Sequence, residues 1–256
     1  MKKRVFAMMG RVEKHLLNKI KADGAIHITL LDPEKLSIET ASYTAHDAEA
    51  GGTAAIMVGG STVTSTENLD NVVKSIKKTV KIPIILFPNN VTGISKYADA
   101  IWFMSLLNSS DPYFLIGAQV LGAPIIKKHG LETIPLGYII VGEGGAASVI
   151  GRACPIPYNK PELVVAHALA AQYFGMRFVY LEAGSGVKQP VPAEMIKMVK
   201  SLVGVTLIVG GGIRNSHQAE TIASAGADII VTGTITEKCG NLKERISALA
   251  KCVKSK

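Results

Sequence analysis

A chain of 256 residues with 48% hydrophobic and 19% charged residues can bury a sizeable core, which excludes a disordered chain. The formal charge of +8 is scattered over short clusters such as Lys2-Lys3-Arg4, Lys77-Lys78 and Lys127-Lys128, without interleaved aromatics, so no nucleic acid is expected as a partner. Cys154, Cys239 and Cys252 show neither disulfide-framework nor metal-ligand spacing, and no apolar run reaches the roughly eighteen residues of a membrane span; a soluble, cytoplasmic protein with reduced thiols is expected.

Residues 6–22, with Met8, Val12, Leu16 and Ile20 four apart, predict an amphipathic helix ahead of everything else. A strand over Ile26–Leu31 ends on Asp32-Pro33, and Ser37 caps a helix running to about Ala50. The strand Ala54–Val58 ends on Gly59-Gly60-Ser61-Thr62, and a helix follows over 66–79. The strand Ile82–Phe87 is stopped by Pro88-Asn89-Asn90, with a short helix expected near 93–97. The strand Ala100–Met104 leads into the polar loop 108–111, and Pro112 opens a helix to about Lys128. After the strand Thr133–Val141 comes the longest irregular stretch, Gly142 to Lys160, of the kind that is more often functional than idle. A helix over 161–174, a strand Phe178–Leu181, a helix over 192–202, a strand over 206–209, a helix over 215–225, a strand Asp228–Val231 and a basic helix from about 242 complete the chain.

Strand and helix thus alternate in eight units behind one leading helix, and the strands read as continuous apolar runs, as when both faces are buried. Eight units at this length predict a single α/β domain over residues 1–256, a (β/α)8 TIM barrel with an extra N-terminal helix; an open doubly wound sheet is the alternative.

In such a barrel the working residues stand at the C-terminal ends of the strands. Collected there are Asp32, Ser61, Thr62, Asn89, Asn108, Glu143, Tyr180, Glu182, Ser185, Gly210, Gly211, Gly212, Gly233 and Thr234. The glycines after strands 7 and 8 let backbone N–H groups approach a phosphate, the position of a common barrel phosphate site. Asp32 and Ser61 stand on adjacent strand tips, where a carboxylate and a hydroxyl suit Mg²⁺; a turn-capping role for Asp32 fits equally well. Glu182 follows an apolar strand and precedes Ala-Gly-Ser-Gly, where capping does not account for it and proton acceptance from a substrate hydroxyl does. Tyr180 shares its side of the strand, and Ser185 and Gly186 offer further donors to a phosphate.

Together HITLLDPEK (27–35), VGGST (58–62), YLEAGSG (180–186), VGGGIR (209–214) and VTGT (231–234) resemble the geranylgeranylglyceryl phosphate synthases of the PcrB-like prenyltransferase family, in the family's order and over essentially the whole chain. The resemblance implies attack of the 3-hydroxyl of sn-glycerol 1-phosphate on C1 of geranylgeranyl diphosphate, in archaeal ether-lipid biosynthesis. It implies Asp32 and Ser61 as Mg²⁺ ligands and Glu182, with Asp32, as the catalytic carboxylates. Glycerol phosphate would be bound by Tyr180, Leu181, Glu182, Ala183, Gly184, Ser185 and Gly186, its phosphate cradled by Gly211, Gly212, Gly233 and Thr234. It also implies a homo-oligomer, with at most transient membrane contact. Leu30 stands where some family members have a lysine. The apolar tail is expected against segments 104–124 and 134–150. A sugar-phosphate isomerase or lyase, and a silent phosphate-metabolite binder, are the competing readings.

Overall fold

The computed structural model describes residues 9–62, 65–233 and 241–254. Eight strands close into a parallel barrel in sequence order. They are β1 (Ile26–Leu31), β2 (Ala55–Val58), β3 (Ile84–Leu86), β4 (Ala100–Leu106), β5 (Glu132–Ile140), β6 (Phe178–Glu182), β7 (Thr206–Gly210) and β8 (Ile229–Thr232). The ring shuts where β1 pairs with β8, from Ile26 opposite Ile229 to Thr29 opposite Thr232. The TIM barrel expected from the alternation is the fold.

Side chains alternate across each strand, so every strand feeds two cores. Ile28, Met57, Ile85, Trp102, Leu136, Phe178 and Ile208 fill the interior. Leu31, Ile56, Leu86, Ile101, Ile139, Leu181 and Val209 face outward. Trp102 is fully buried, edge-on to Phe178 at 5.2 Å with its indole N–H on Met57 Sδ, so it is a core aromatic.

The leading helix, α1 (Arg11–Asp23), plugs the N-terminal end of the barrel with Val12 and Leu16. Glu132 accepts the N–H groups of Val12 and Glu13, both at 2.8 Å, and so caps the helix start. Glu13, wholly buried, is held bidentately by Arg177. Outside the strands pack α2 (Ile38–Ala50), α3 (Thr66–Thr79), α4 (Ala118–His129), α6 (Pro161–Tyr173), α7 (Ala193–Leu202), α8 (Ser216–Ser224) and α9 (Leu242–Val253), while α5 (Gly145–Ile150) lies inside the long loop. Ser37, Ser65 and Asn215 cap their helices through side-chain oxygens.

One unit departs from expectation. The helix expected near 93–97 does not form; β3 is followed by one 3₁₀ turn, Val91–Gly93, capped by Asn90. Only nine residues separate Asn90 from β4, too few for a helix that also crosses back to the strand start. β3 itself is short and meets β4 only at Ile85–Ala100 and Leu86–Ile101. The outer face of β4 is therefore covered by α4, which is preceded by a π-type turn over Tyr113–Gly117.

Candidate active site

The strand tips enclose a cavity of about 450 Å³. Its polar end is built by the loops after β1, β2, β6, β7 and β8. The last residue of β6 places Glu182 inward, 7% exposed, with Gly184 N–H donating to Oε1 at 2.7 Å and the Tyr180 hydroxyl as a second partner. Burial pushes the Glu182 carboxyl above the usual carboxylate range, and these two hydrogen bonds pull it partly back. The result is a more basic carboxylate, fixed in orientation. Tyr180 and Tyr138 are both held well above the usual phenol range, first by burial and then by the Glu182 charge, so both keep their protons. With Phe87 they form a mutually contacting aromatic floor, ring centroids 5.3 to 5.6 Å apart.

Beside Glu182 the chain turns through Gly211 at φ +84°, where a Cβ would overlap Glu182 Oε1 and the Gly184 nitrogen. Glycine is thus required for the β7 loop to close over the carboxylate. Arg214 holds the neighbouring loop from outside, donating to the carbonyls of Gly186 and Val187. Tyr158 ties the long β5 loop to the same segment through a 2.8 Å bond to the Gln189 carbonyl.

Across the mouth, Asp32 and Ser61 both line the cavity. A Cβ at Gly60 would lie 2.5 Å from Asp32 Oδ1, so the carboxylate packs against this glycine in space that no side chain could share. Asp32 also accepts the Glu34 N–H at 3.1 Å, so the capping role and a place in the site coexist. Leu30 lies in the wall beneath Gly233, and Lys35 brings a cation to the rim.

Of the sequence-derived residues, Asp32, Ser61, Thr62, Asn89, Tyr180, Glu182, Ser185, Gly211, Gly212 and Gly233 converge on this one cavity. Leu181 and Ala183 do not: their side chains belong to the outer core, because the strand alternation that turns Tyr180 and Glu182 inward turns them outward. Gly184 and Gly186 shape the loop through positive φ without lining the cavity. Thr234 lies outside the described residues. Asn108 is a clamp, bonding the Ile140 backbone through both N–H and C=O and the Cys154 carbonyl.

Sequence reasoning missed the aromatic floor and Lys35. It also missed how far the cavity runs. Beyond the mouth it passes outside the barrel wall, along the outward face of β4 (Ile101, Phe103), the 91–94 turn and the inner face of α4 (Ala118, Gln119, Gly122, Ile126). Met104, Leu106, Phe114, Tyr138, Ala147 and Ile150 lie within the segments expected to be apolar lining; Ile94, Ile101 and Ile126 do not. The signal was the missing helix after β3, which leaves this flank to an apolar lobe.

The profile of the PcrB family matches residues 18–253. The chain belongs to the PcrB family. Among PcrB relatives, a geranylgeranylglyceryl phosphate synthase of Thermofilum pendens is 53% identical over 247 residues, 96% of each chain. One of Pyrococcus horikoshii is 53% identical over 236 residues, 92% of each. The crystal structure of the (S)-3-O-geranylgeranylglyceryl phosphate synthase of Thermoplasma acidophilum, in complex with its substrate sn-glycerol-1-phosphate, is 39% identical with a TM-score of 0.92, covering 96% of this chain and 99% of that one.

Proposed function

We propose that the chain joins the 3-hydroxyl of sn-glycerol 1-phosphate to geranylgeranyl diphosphate, forming geranylgeranylglyceryl phosphate and diphosphate in archaeal ether-lipid synthesis. The observation that carries this reading is the continuity of a single cavity: a buried carboxylate among glycine loops at one end, and an apolar lobe outside the barrel wall at the other. A sugar-phosphate isomerase or lyase uses only the first end. The names of the curated relatives and the glycerol phosphate held by the Thermoplasma acidophilum protein point the same way.

The phosphate of the acceptor sits on backbone N–H groups around Ser185, Gly211, Gly212 and Gly233, where no Cβ intrudes from the glycines. This sets the far hydroxyl toward Glu182, whose carboxylate takes the proton as the oxygen bonds to C1 of the donor. The C1–O bond to diphosphate breaks with its electron pair leaving on the diphosphate. Tyr180 and Gly184 N–H hold the base in place through this exchange.

Asp32 and Ser61 fit Mg²⁺. A carboxylate and a hydroxyl on adjacent strand tips are hard oxygen donors lining the same cavity, and Mg²⁺ is commonly held by one or two such groups together with substrate phosphates and water. When bound, Mg²⁺ offsets the charge that builds on the departing diphosphate. Lys35 and the Asn89 side chain face the same region.

No helix among the described residues is long and apolar enough to cross a membrane. The enzyme works from the cytoplasm, touching the bilayer only to collect donor and release product. It assembles with copies of itself through α4 and α6 of consecutive barrel units, where Val120 and Leu121 on α4, Leu163 and Tyr173 on α6, and Ile116 and Phe174 just outside them are exposed.

The test is a product assay with labelled sn-glycerol 1-phosphate, a series of polyprenyl diphosphates, and Mg²⁺ present or chelated. An ether product that is strongest with the twenty-carbon donor and lost on chelation is expected. No product with any donor, while phosphate compounds still bind, overturns the reading.

A further inference from the structure

The segment that follows β6, Gly184 to Val191, makes no backbone–backbone hydrogen bond among the described residues, so side chains must fix it. Its ends are secured. Glu182 accepts the Gly184 N–H, Arg214 donates to the carbonyls of Gly186 and Val187, and the side chains of Val187 and Val191 are buried. Between those anchors Lys188 and Gln189 are exposed. One hydrogen bond reaches residues 188–190 among the described residues, from the Tyr158 hydroxyl to the Gln189 carbonyl at 2.8 Å. The same peptide lies against the β7 loop: a Cβ at Gly212, where φ is +70°, would stand 2.9 Å from Pro190 N and 3.0 Å from Gln189 C and O. The Gln189–Pro190 peptide is therefore clasped between a tyrosine hydroxyl and a glycine that lines the cavity. Tyr158 is itself seated, since a Cβ at Gly142 would overlap its ring, and the Gly142 N–H donates to the Ile156 carbonyl at 2.9 Å. Burial, and then the charges of Glu143 and Glu182, hold the Tyr158 hydroxyl above the usual phenol range, so it stays a donor at neutral pH.

We infer that Tyr158 is a positioning residue for the acceptor: through the Gln189–Pro190 peptide it holds Gly212 where the glycine N–H meets the phosphate of sn-glycerol 1-phosphate. The inference rests on the prenyltransferase reading above. Tyr158 does not line the cavity, so it acts through the backbone it holds and not on the substrate. Without its hydroxyl the span 188–190 is free to leave Gly212, and the cradle must be ordered as the acceptor binds, which costs affinity. Glu182 keeps its place, because Tyr180 and the Gly184 N–H hold it. The apolar lobe touches neither Gln189 nor Tyr158. The loss therefore falls on acceptor binding alone.

Tyr158→Phe keeps the ring on Gly142 and removes only the hydroxyl. The experiment measures kcat and the KM of each substrate in the wild type and Tyr158→Phe, both checked for cooperative thermal unfolding. Inorganic phosphate serves as an inhibitor competitive with the acceptor. The variant is expected to raise the KM for sn-glycerol 1-phosphate by about three- to tenfold, the scale of one lost hydrogen bond. Its inhibition constant for phosphate is expected to rise by the same factor, because phosphate uses the cradle alone. Both kcat and the donor KM are expected to stay within about twofold of wild type, as when only binding of one substrate is lost. A wild-type acceptor KM or phosphate constant in the folded variant overturns the inference while the prenyltransferase reading stands. So does a change in kcat or donor KM as large as that in the acceptor KM. If the wild type makes no ether with any donor, the reading itself fails and the inference with it.

Discussion

Glu182 carries two consequences of being buried next to hydrogen-bond donors. Its carboxyl holds a proton more readily than an exposed glutamate, so the base form is lost on acidification sooner than for an ordinary carboxylate. The acid limb of the kcat/KM profile is therefore expected to have its midpoint above 4.5, and Glu182→Gln to lack that limb. The same variant is expected to bind glycerol phosphate while turning over about 10²-fold or more slowly, as for loss of a positioned base. Wild-type turnover in Glu182→Gln would remove the residue from this role. Stability moves in the opposite direction. A raised carboxyl pKa means that the charged form is penalised in the fold, a cost absent below pH 4.5, where the group is neutral folded or unfolded, and full once pH exceeds the folded pKa. Glu182→Gln is expected to melt higher than wild type at pH 7, with the gain gone at pH 4. Glu182 stood out in the sequence because no capping role explained it. Tyr138 and Phe87 did not, since inward aromatics in a strand read as core until the strands are curled around them.

The seam between β1 and β8 closes the barrel, and its side-chain link is His27 Nε2 to Thr232 Oγ1 at 2.8 Å. Burial lowers the His27 pKa to about 3, so the ring is neutral in the fold and protonates near 6.5 only when unfolded. Its stabilising contribution is complete above 6.5 and is lost as pH falls toward 3, by about 1.4 kcal/mol per unit. Between pH 6.5 and 4.5, urea unfolding of the wild type is expected to lose about 2–3 kcal/mol more than that of His27→Gln. Equal losses in the two proteins would show that the seam does not sense protons. Element identity was legible where periodicity ran long, as in α3, whose Leu69, Val72, Val73 and Ile76 all reach the core. It was not legible at residues 91–99, where an apolar and polar mixture suits a helix locally, but the distance to β4 leaves no room for one.

At the scale of the whole molecule, two consecutive barrel units expose large apolar side chains. Val120 on α4, and Tyr173 and Phe174 at the C-terminal end of α6, are 63, 78 and 77% exposed. A double substitution Val120→Glu with Phe174→Glu is expected to lower the sedimentation-derived mass from a multiple of 27.1 kDa to that of one chain. A wild type that already sediments as one chain would dismiss the assembly. On α4, Val120, Leu121 and Ile125 are exposed while Ala118, Gly122 and Ile126 line the cavity, so this helix is apolar on both faces, which no single-helix periodicity explains.

The barrel itself followed from the sequence, because buried parallel strands must be continuous apolar runs, and eight strand-helix units at this length favour closure over an open doubly wound sheet. The place of the candidate site followed as well, since barrel geometry sends residues at strand ends to one mouth; Asp32, Ser61, Glu182, Gly211, Gly212 and Gly233 line one cavity there. Only the tertiary structure decided the rest. Which of the residues 180–186 face inward depends on register. The basicity of Glu182 depends on burial and on two partners brought by folding. The apolar lobe exists because a single turn stands where a barrel helix was expected after β3, which leaves the outer face of β4 to α4. Each of these is a relation between segments distant in the chain, set by packing rather than by local pattern.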